Sequence, residues 1–200
     1  MRKRSPILGV ICLLILGWGL GCIFLAGASK AEITVDGKVY EMRTMTVGEF
    51  MRDGYVFATM STEGDVVYTY DYSDVVLEAK SYYKIGVPFK MNGGHEASIN
   101  CWLYNPSSEE VEVQKGKIYA VSCHIAELRA DGIVVSIAGL ELDGQDKAEL
   151  KSYMDGALKG YRFSENEDVN VVSYTKGQVS YTFSFDEDDI LLEATARNNV

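Results

Sequence analysis

The feature that most constrains this chain is a change of character near residue 29. "MRKR" opens the sequence, no charged residue occurs from Ser5 to Ser29, and charge returns with Lys30 and Glu32. A basic start followed by an apolar run is an export signal whose basic end stays on the cytoplasmic side. The fold therefore belongs to the 172 residues from Ser29 onward, expected outside the membrane. Three fates of residues 1–28 remain open. Ala26, Gly27 and Ala28 put small residues where a signal peptidase reads, which predicts cleavage before Ser29. Pro6 to Ala26 is long enough to span a bilayer as an uncleaved transmembrane anchor. Cys22 invites lipidation, although Gly19 and Leu20 depart from a lipobox and "IFLA" continues the apolar run where a polar tether would begin. The expected location is extracytoplasmic, either membrane-anchored or secreted.

The part beyond the junction is acidic. Arg2, Lys3 and Arg4 are the only charges before Lys30, so 16 basic groups face 29 acidic ones, a net charge of −13. Such a chain repels phosphate backbones, which argues against nucleic acid as a partner. Its length buries a core without a metal or several disulfides. Cys12 and Cys22 sit in the apolar run as ordinary apolar residues, whereas Cys101 and Cys123 form an even pair in the exported part.

Local patterning predicts an α+β fold, predominantly antiparallel β with two short helices. Asp36-Gly37 in "ITVDGKVYEM" suits a tight primed hairpin turn. Thr46 and Glu49 read as a capping box, with Met45 and Phe50 as its hydrophobic staple and Gly54 as the stop. From Tyr55 to Ile125 the pattern is β. Ile99, Cys101 and Leu103 share one strand face, and Tyr119, Val121, Cys123 and Ile125 share another. Pairing of these strands would set Cys101 and Cys123 opposite or nearly so, as a disulfide or as two buried thiols. Farther on, "GIVVSIAGLEL" is a strand and "DGQDKAELKSYMDG" a helix, with Asp143 a cap, Gly156 a stop, and Leu150, Tyr153, Met154 and Ala157 at helical spacing. "DVNVVSY", "QVSYTFSF" and "ILLEATA" then predict a three-stranded meander. The expected organisation is residues 1–28 as signal or anchor, 31–127 as a β-rich region with one short helix, and 128–200 as a helix-and-meander module. No internal repeat stands out.

Two resemblances attach to these residues. "ITVDGKVYEMRTMTVGEFMRDGY", "WLYNPSSEEVEV" and "GKIYAVSCHIAEL" resemble a broad group of uncharacterised Firmicute cell-surface proteins and lipoproteins, over roughly Ile33 to Asn198. That resemblance brings no catalytic residues. Gly139, Leu140, Gly144, Glu149, Leu150 and Gly156 resemble the opening of modules similar to β-lactamase inhibitory protein and the BamE/SmpA lipoproteins, although Ala157 and Leu158 replace the usual "GxP". It implies protein binding rather than catalysis.

No nucleotide loop, zinc-helix, serine-elbow or CxxC motif occurs. Ser81 to Lys84 spells SxxK, but the KTG partner is missing and the tetrad sits among strand-like residues. His95 and His124 are the only imidazoles, and the runs at 164–168 and 186–189 lack the spacing of a calcium loop. No catalytic, cofactor or metal residue is therefore assigned. Tyr68, Tyr70 and Tyr72 alternate along one strand, with Tyr82 and Tyr83 nearby, and form a possible contact surface; tyrosine is also a common half-buried strand residue. The expected function is non-catalytic, surface-exposed binding on a Gram-positive cell envelope, to a protein or an envelope glycan. The alternative is a protein inhibitor or envelope-assembly accessory acting through the C-terminal module.

Overall fold

The computed structural model describes residues 30–60, 66–68, 75–83, 89–92 and 99–199, with 56–60, 66–68 and 89–92 described by backbone alone. The chain opens with a hairpin, β1 (Glu32–Val35) and β2 (Lys38–Glu41), followed by helix α1 (Val47–Arg52). Asp36 and Gly37 carry φ values of 47° and 77°, the left-handed pair that a type I′ turn requires. Helix α1 begins as its residues dictate. The Thr46 N–H donates to Glu49 Oε2 at 2.7 Å, and the Thr46 hydroxyl donates to the same oxygen at 3.1 Å. Gly54, with φ of 93°, ends it. Its Phe50 ring stacks on Tyr40 with centroids 4.3 Å apart, which ties the helix to the hairpin.

Strands β3 (Val56–Met60), β4 (Val66–Tyr68), β6 (Phe89–Asn92), β7 (Ile99–Tyr104) and β9 (Lys117–His124) form one half of a nine-stranded sheet. Two short strands, β5 (Val76–Leu77) and β8 (Val111–Glu112), pair separately. Helix α2 (Ile125–Ala130) leads to a second hairpin, β10 (Val135–Ile137) and β11 (Leu140–Glu141), then helix α3 (Lys147–Ala157). Strands β12 (Arg162–Asn166), β13 (Val171–Lys176), β14 (Val179–Phe185) and β15 (Leu191–Asn198) complete the sheet, in the order β12-β13-β14-β15-β9-β7-β6-β3-β4. Every pair is antiparallel.

Four details differ from the sequence expectations. The meander after α3 has four strands, because β12 precedes the three anticipated. The α3 cap is Asp146, whose carboxylate accepts the Glu149 N–H at 2.8 Å, rather than Asp143; Gly156 lies inside the helix. Ile125 starts α2 instead of continuing β9, so a boundary after residue 127 would cut a helix. Finally, the chain is an internal duplication.

The duplication is visible in bonds rather than in sequence identity. At each helix start, a residue preceding the cap and the first helical residue bind the strand that closes that half. Val47 N–H donates to Gly116 O at 3.1 Å and Ile118 N–H to Met45 O at 3.0 Å; Lys147 N–H donates to Asp189 O at 2.9 Å and Leu191 N–H to Gln145 O at 2.9 Å. The β7–β9 register slips between Trp102 and Leu103, and the β14–β15 register slips at the corresponding place between Ser184 and Phe185. Where the halves meet, Thr195 pairs with Ser122, flanked by Glu193 with His124 on one side and Arg197 with Ala120 on the other. That register maps onto itself under a two-fold rotation through Ser122 and Thr195. A four-stranded sheet, β11-β10-β1-β2, obeys the same axis, with Thr34 paired to Ser136 at its centre.

The four-stranded sheet and the helices cover one face of the large sheet. Ile99, Cys101, Val121, Cys123, Val172, Tyr174, Tyr181, Phe183, Ala194 and Ala196 point into that buried layer. The hydroxyl of Tyr181 accepts the Glu32 N–H at 3.0 Å, and that of Tyr174 donates to Asp155 of α3 at 2.9 Å. Residues alternating with these line the outer face.

Candidate functional site

The outer face differs between the two halves, and the bulge at Tyr119 is the reason one half carries an aromatic cluster. Trp102 opposes Ala120 and Leu103 opposes Ile118, so Tyr119 is the extra residue. A bulge turns two consecutive residues to the same side. Tyr119 therefore joins Ala120 on the outer face, not Val121 and Cys123 on the inner one as simple alternation had suggested. Its ring meets that of Tyr82 edge-on at 5.1 Å, and Tyr82 lies 4.9 Å from Tyr104. The guanidinium of Arg197 sits 5.8 Å from the Tyr119 ring centre. The result is a continuous track, Arg197–Tyr119–Tyr82–Tyr104, with Trp102 on the same face of β7. Burial raises the pKa of the Tyr119 phenol above its ordinary value, and Arg197 opposes that shift.

Three polar atoms on this face are buried and without a hydrogen-bond partner: Asn100 Oδ1, His124 Nδ1 and Arg197 Nε. His124 Nδ1 lies 4.0 Å from a Glu127 oxygen, beyond hydrogen-bond reach. Between these groups the Ser122 hydroxyl bonds both Glu193 and Thr195. Along one sheet row the polar series runs Ser164, Ser173, Thr182, Thr195, Ser122, Asn100.

The sequence-predicted residues fall as follows. Tyr82 belongs to the track and is 42% exposed. Tyr83 packs partly buried against the core, its N–H donating to Leu103 O at 3.0 Å. Tyr68 is described by its backbone, paired with Ala58; Tyr70, Tyr72, Ala26, Ala28, Ser29 and His95 lie outside the described residues. Cys101 and Cys123 are both buried thiols. Cys123 pairs with Ile99 and Cys101 with Val121, so the two share the inner face one diagonal step apart rather than directly opposite. Burial pushes the Cys123 thiol up to about 12 and holds Cys101 well above its ordinary value. Ser81 sits in a turn, its hydroxyl donating to Glu78 O at 2.6 Å.

The two acidic runs come together around Lys147. Its ammonium pairs with Glu165 and donates to Asn170 Oδ1 at 3.0 Å, while Asn170 Nδ2 donates to Asp189 and to Asp186 O. Among the described residues no group of three or more His, Cys, Asp or Glu side chains could hold a metal ion, and no helix is long and apolar enough to cross a membrane.

Sequence reasoning missed Asn100, Trp102, Tyr104, Tyr119 and Arg197. The first three were within reach, because they alternate with the recognised core residues Ile99, Cys101 and Leu103. Tyr119 and Arg197 were not, since a bulge and a cross-strand pairing place them. Comparison with protein-family models, with curated proteins and with solved structures finds no match to this chain.

Proposed function

We propose that the protein is an extracytoplasmic recognition module that binds its partner through the outer face of the nine-stranded sheet, near the axis between its halves, with no reaction of its own. The N-terminal segment would hold it at the membrane surface or be removed to release it. One observation carries this assignment: Asn100, His124 and Arg197 bring unpartnered buried polar atoms to the same face as the tyrosine track. Buried polar groups are nearly always hydrogen-bonded within a fold, so three exceptions on one face call for an account, and a partner that draws these side chains outward supplies one.

The alternative, an inhibitor or envelope-assembly accessory working through the C-terminal helix and meander, places binding on the other half of the same sheet. That half presents Ser184 where the first presents Trp102, and Leu192 where the first presents Tyr119. The aromatic side chains that dominate binding surfaces thus favour the first half and the axis. The test is crosslinking of the full chain to envelope extract, comparing the wild type with the double variant Trp102→Ser, Tyr119→Leu. The variant should lose the partner. Equal recovery by both would overturn the assignment.

A further inference from the structure

Arg197 is the unusual member of the outer face. It is half-buried, its Nε is unpartnered, and among the described residues its recorded contact is the Tyr119 ring rather than a carboxylate. Glu193, on the same strand and face, is engaged by Ser122. In an exported region that carries −13, a half-buried guanidinium without an acidic partner among the described residues is a charge left over for something else. A guanidinium binds carboxylates through paired, directional hydrogen bonds.

The surroundings narrow the ligand further. Starting from Arg197, three tyrosine rings run in contact, Tyr119 edge-on to Tyr82 at 79° and Tyr82 tilted to Tyr104 at 35°. The track is therefore stepped and presents separate ring faces to the C–H faces of successive pyranose rings. Asn100 Oδ1 is an unpaired acceptor and Arg197 Nε an unpaired donor just beneath that surface, and a sugar hydroxyl answers either when the half-buried side chain turns outward. The two residues are two strands and two positions apart in register, about 12 Å on ordinary sheet spacings, a span that a short oligosaccharide covers. A protein partner would call for exposed apolar anchors at the centre of the contact. Among the residues whose side chains are described, the exposed large hydrophobics Val39, Val76, Val134, Tyr153, Val169 and Ile190 lie elsewhere, and Tyr82 belongs to the track.

We infer that the outer face binds an acidic oligosaccharide, with a sugar carboxylate on Arg197 and the rings along Tyr119, Tyr82 and Tyr104. This rests on the recognition function proposed above and adds the chemistry of the ligand. The charge logic also sets specificity: neutral glycans of the same length lack the group that Arg197 pairs with, and polyanions are repelled by the rest of the chain.

The experiment titrates the full-length chain with the N-acetylglucosamine–N-acetylmuramic acid disaccharide, with trigalacturonate, and with neutral chitobiose and chitotriose. Binding is read by calorimetry and by the change in tryptophan fluorescence relative to Trp102→Ser, which retains Trp18. At least one acidic sugar should bind, with its neutral counterpart weaker by about tenfold or more, the scale of a charge-assisted pair. Arg197→Gln should erase that difference without changing the melting temperature, and Tyr119→Leu should weaken acidic and neutral sugars alike. Equal binding of acidic and neutral sugars, unaffected by Arg197→Gln, would overturn the carboxylate assignment and leave the recognition face standing. Absence of sugar binding, together with an envelope protein whose capture is lost in Trp102→Ser, Tyr119→Leu, would overturn the glycan and keep the face. If neither sugars nor a variant-sensitive partner are found, both proposals fall.

Discussion

Replacing Asn105 by alanine should cost the protein about 3 kcal/mol, more than any exposed substitution. Asn105 follows β7 and is fully buried. The two protons of its Nδ2 are shared among three carbonyls, Leu77 O at 3.1 Å, Glu78 O at 2.9 Å and Glu109 O at 2.8 Å, while Oδ1 accepts the Ser107 N–H at 2.9 Å. One amide thereby holds the β5 segment and the turn before β8 against the end of β7. The Leu77 bond is buried and the other three are part-buried, so water can replace some of what alanine removes. With roughly 1 kcal/mol net per bond and a larger penalty for the carbonyl left dry, the sum comes to about 2–4 kcal/mol. At a urea slope of about 2 kcal/mol/M the unfolding midpoint, followed by Trp102 fluorescence, falls by about 1.5 M. Asn105→Asp sharpens the test, since it keeps the shape but turns an oxygen toward three carbonyl oxygens. Burial and those oxygens raise the folded-state pKa of the new carboxyl. Its protonated form therefore gives stability that is present below the unfolded value, about 4, and lost as pH rises through the folded one. The aspartate variant should accordingly gain on alanine in acid and fall below it at neutral pH. An alanine variant within about 0.5 kcal/mol of wild type, or an aspartate variant with no such pH dependence, would refute the account of Asn105.

Other outcomes follow from the same structure. Cys101 and Cys123 should resist alkylation in the native protein and react fully after unfolding, with peptide mapping showing both as thiols; a linked Cys101–Cys123 peptide would mean a register other than the diagonal one. Burial raises Cys123 to about 12 and Tyr181 to about 12, so both contribute stability that is complete below their unfolded values, about 8.5 and 10. That stability drains as pH climbs toward 12, and melting temperatures recorded between neutrality and strong alkali should fall steeply there. The double variant Trp102→Ser, Tyr119→Leu should fold with a loss of about 1 kcal/mol or less, whereas Leu103→Ser on the opposite face should lose about 3 kcal/mol or more; equal losses would contradict the equivalence of the halves.

Signals confined to neighbouring residues were legible in the sequence. The Asp36-Gly37 turn, the Thr46–Glu49 box, the Gly54 stop and the alternation of Ile99, Cys101 and Leu103 each depend on a few adjacent side chains, and the structure contains them all. Asp143 reads as a cap from its place ahead of the helical pattern, whereas the cap is Asp146, whose carboxylate accepts the Glu149 N–H once the Leu191 N–H binds the Gln145 carbonyl and sets the start of the helix. The duplication left faint traces: Gly54-Tyr55-Val56-Phe57 against Gly160-Tyr161-Arg162-Phe163, and Thr46 and Glu49 against Asp146 and Glu149. These were hidden by unequal helices, six residues in α1 and eleven in α3, and by the β4, β5 and β8 additions to the first half alone. The outer-face cluster was illegible for a different reason. Tyr82, Tyr119 and Arg197 are distant in sequence, and a register slip of one residue decides which face Tyr119 takes.

The duplication itself separates what the fold needs from what it does not. Equivalent inner positions stay apolar in both halves: Ile99 with Tyr181, Cys101 with Phe183, Leu103 with Phe185, Val121 with Ala194. Packing against the four-stranded sheet and the helices enforces this, since a polar group there would be buried unpaired. The outer face is fully buried at Ala120 and Ser122 beside the axis and half-buried at Asn100, Trp102 and Tyr119, and in the second half the positions equivalent to these last three are met by Thr182, Ser184 and Leu192. Strand formation is therefore satisfied by small hydroxyl and aliphatic residues at the places where the first half carries Asn100, Trp102 and Tyr119. A preference of tyrosine and tryptophan for strands does not explain a difference between two copies of the same strand pair. His124 and Arg197 make the same point at the axis, because they are each other's images, yet one faces Glu193 and the other faces Ala120. The asymmetry leaves Arg197 without a carboxylate across from it and sets it beside the tyrosines. The two halves are thus alike on the buried side and unlike on the outer side, and the difference is concentrated at Arg197 and its aromatic track, which is where the proposed recognition function predicts that substitutions weaken binding without unfolding the chain.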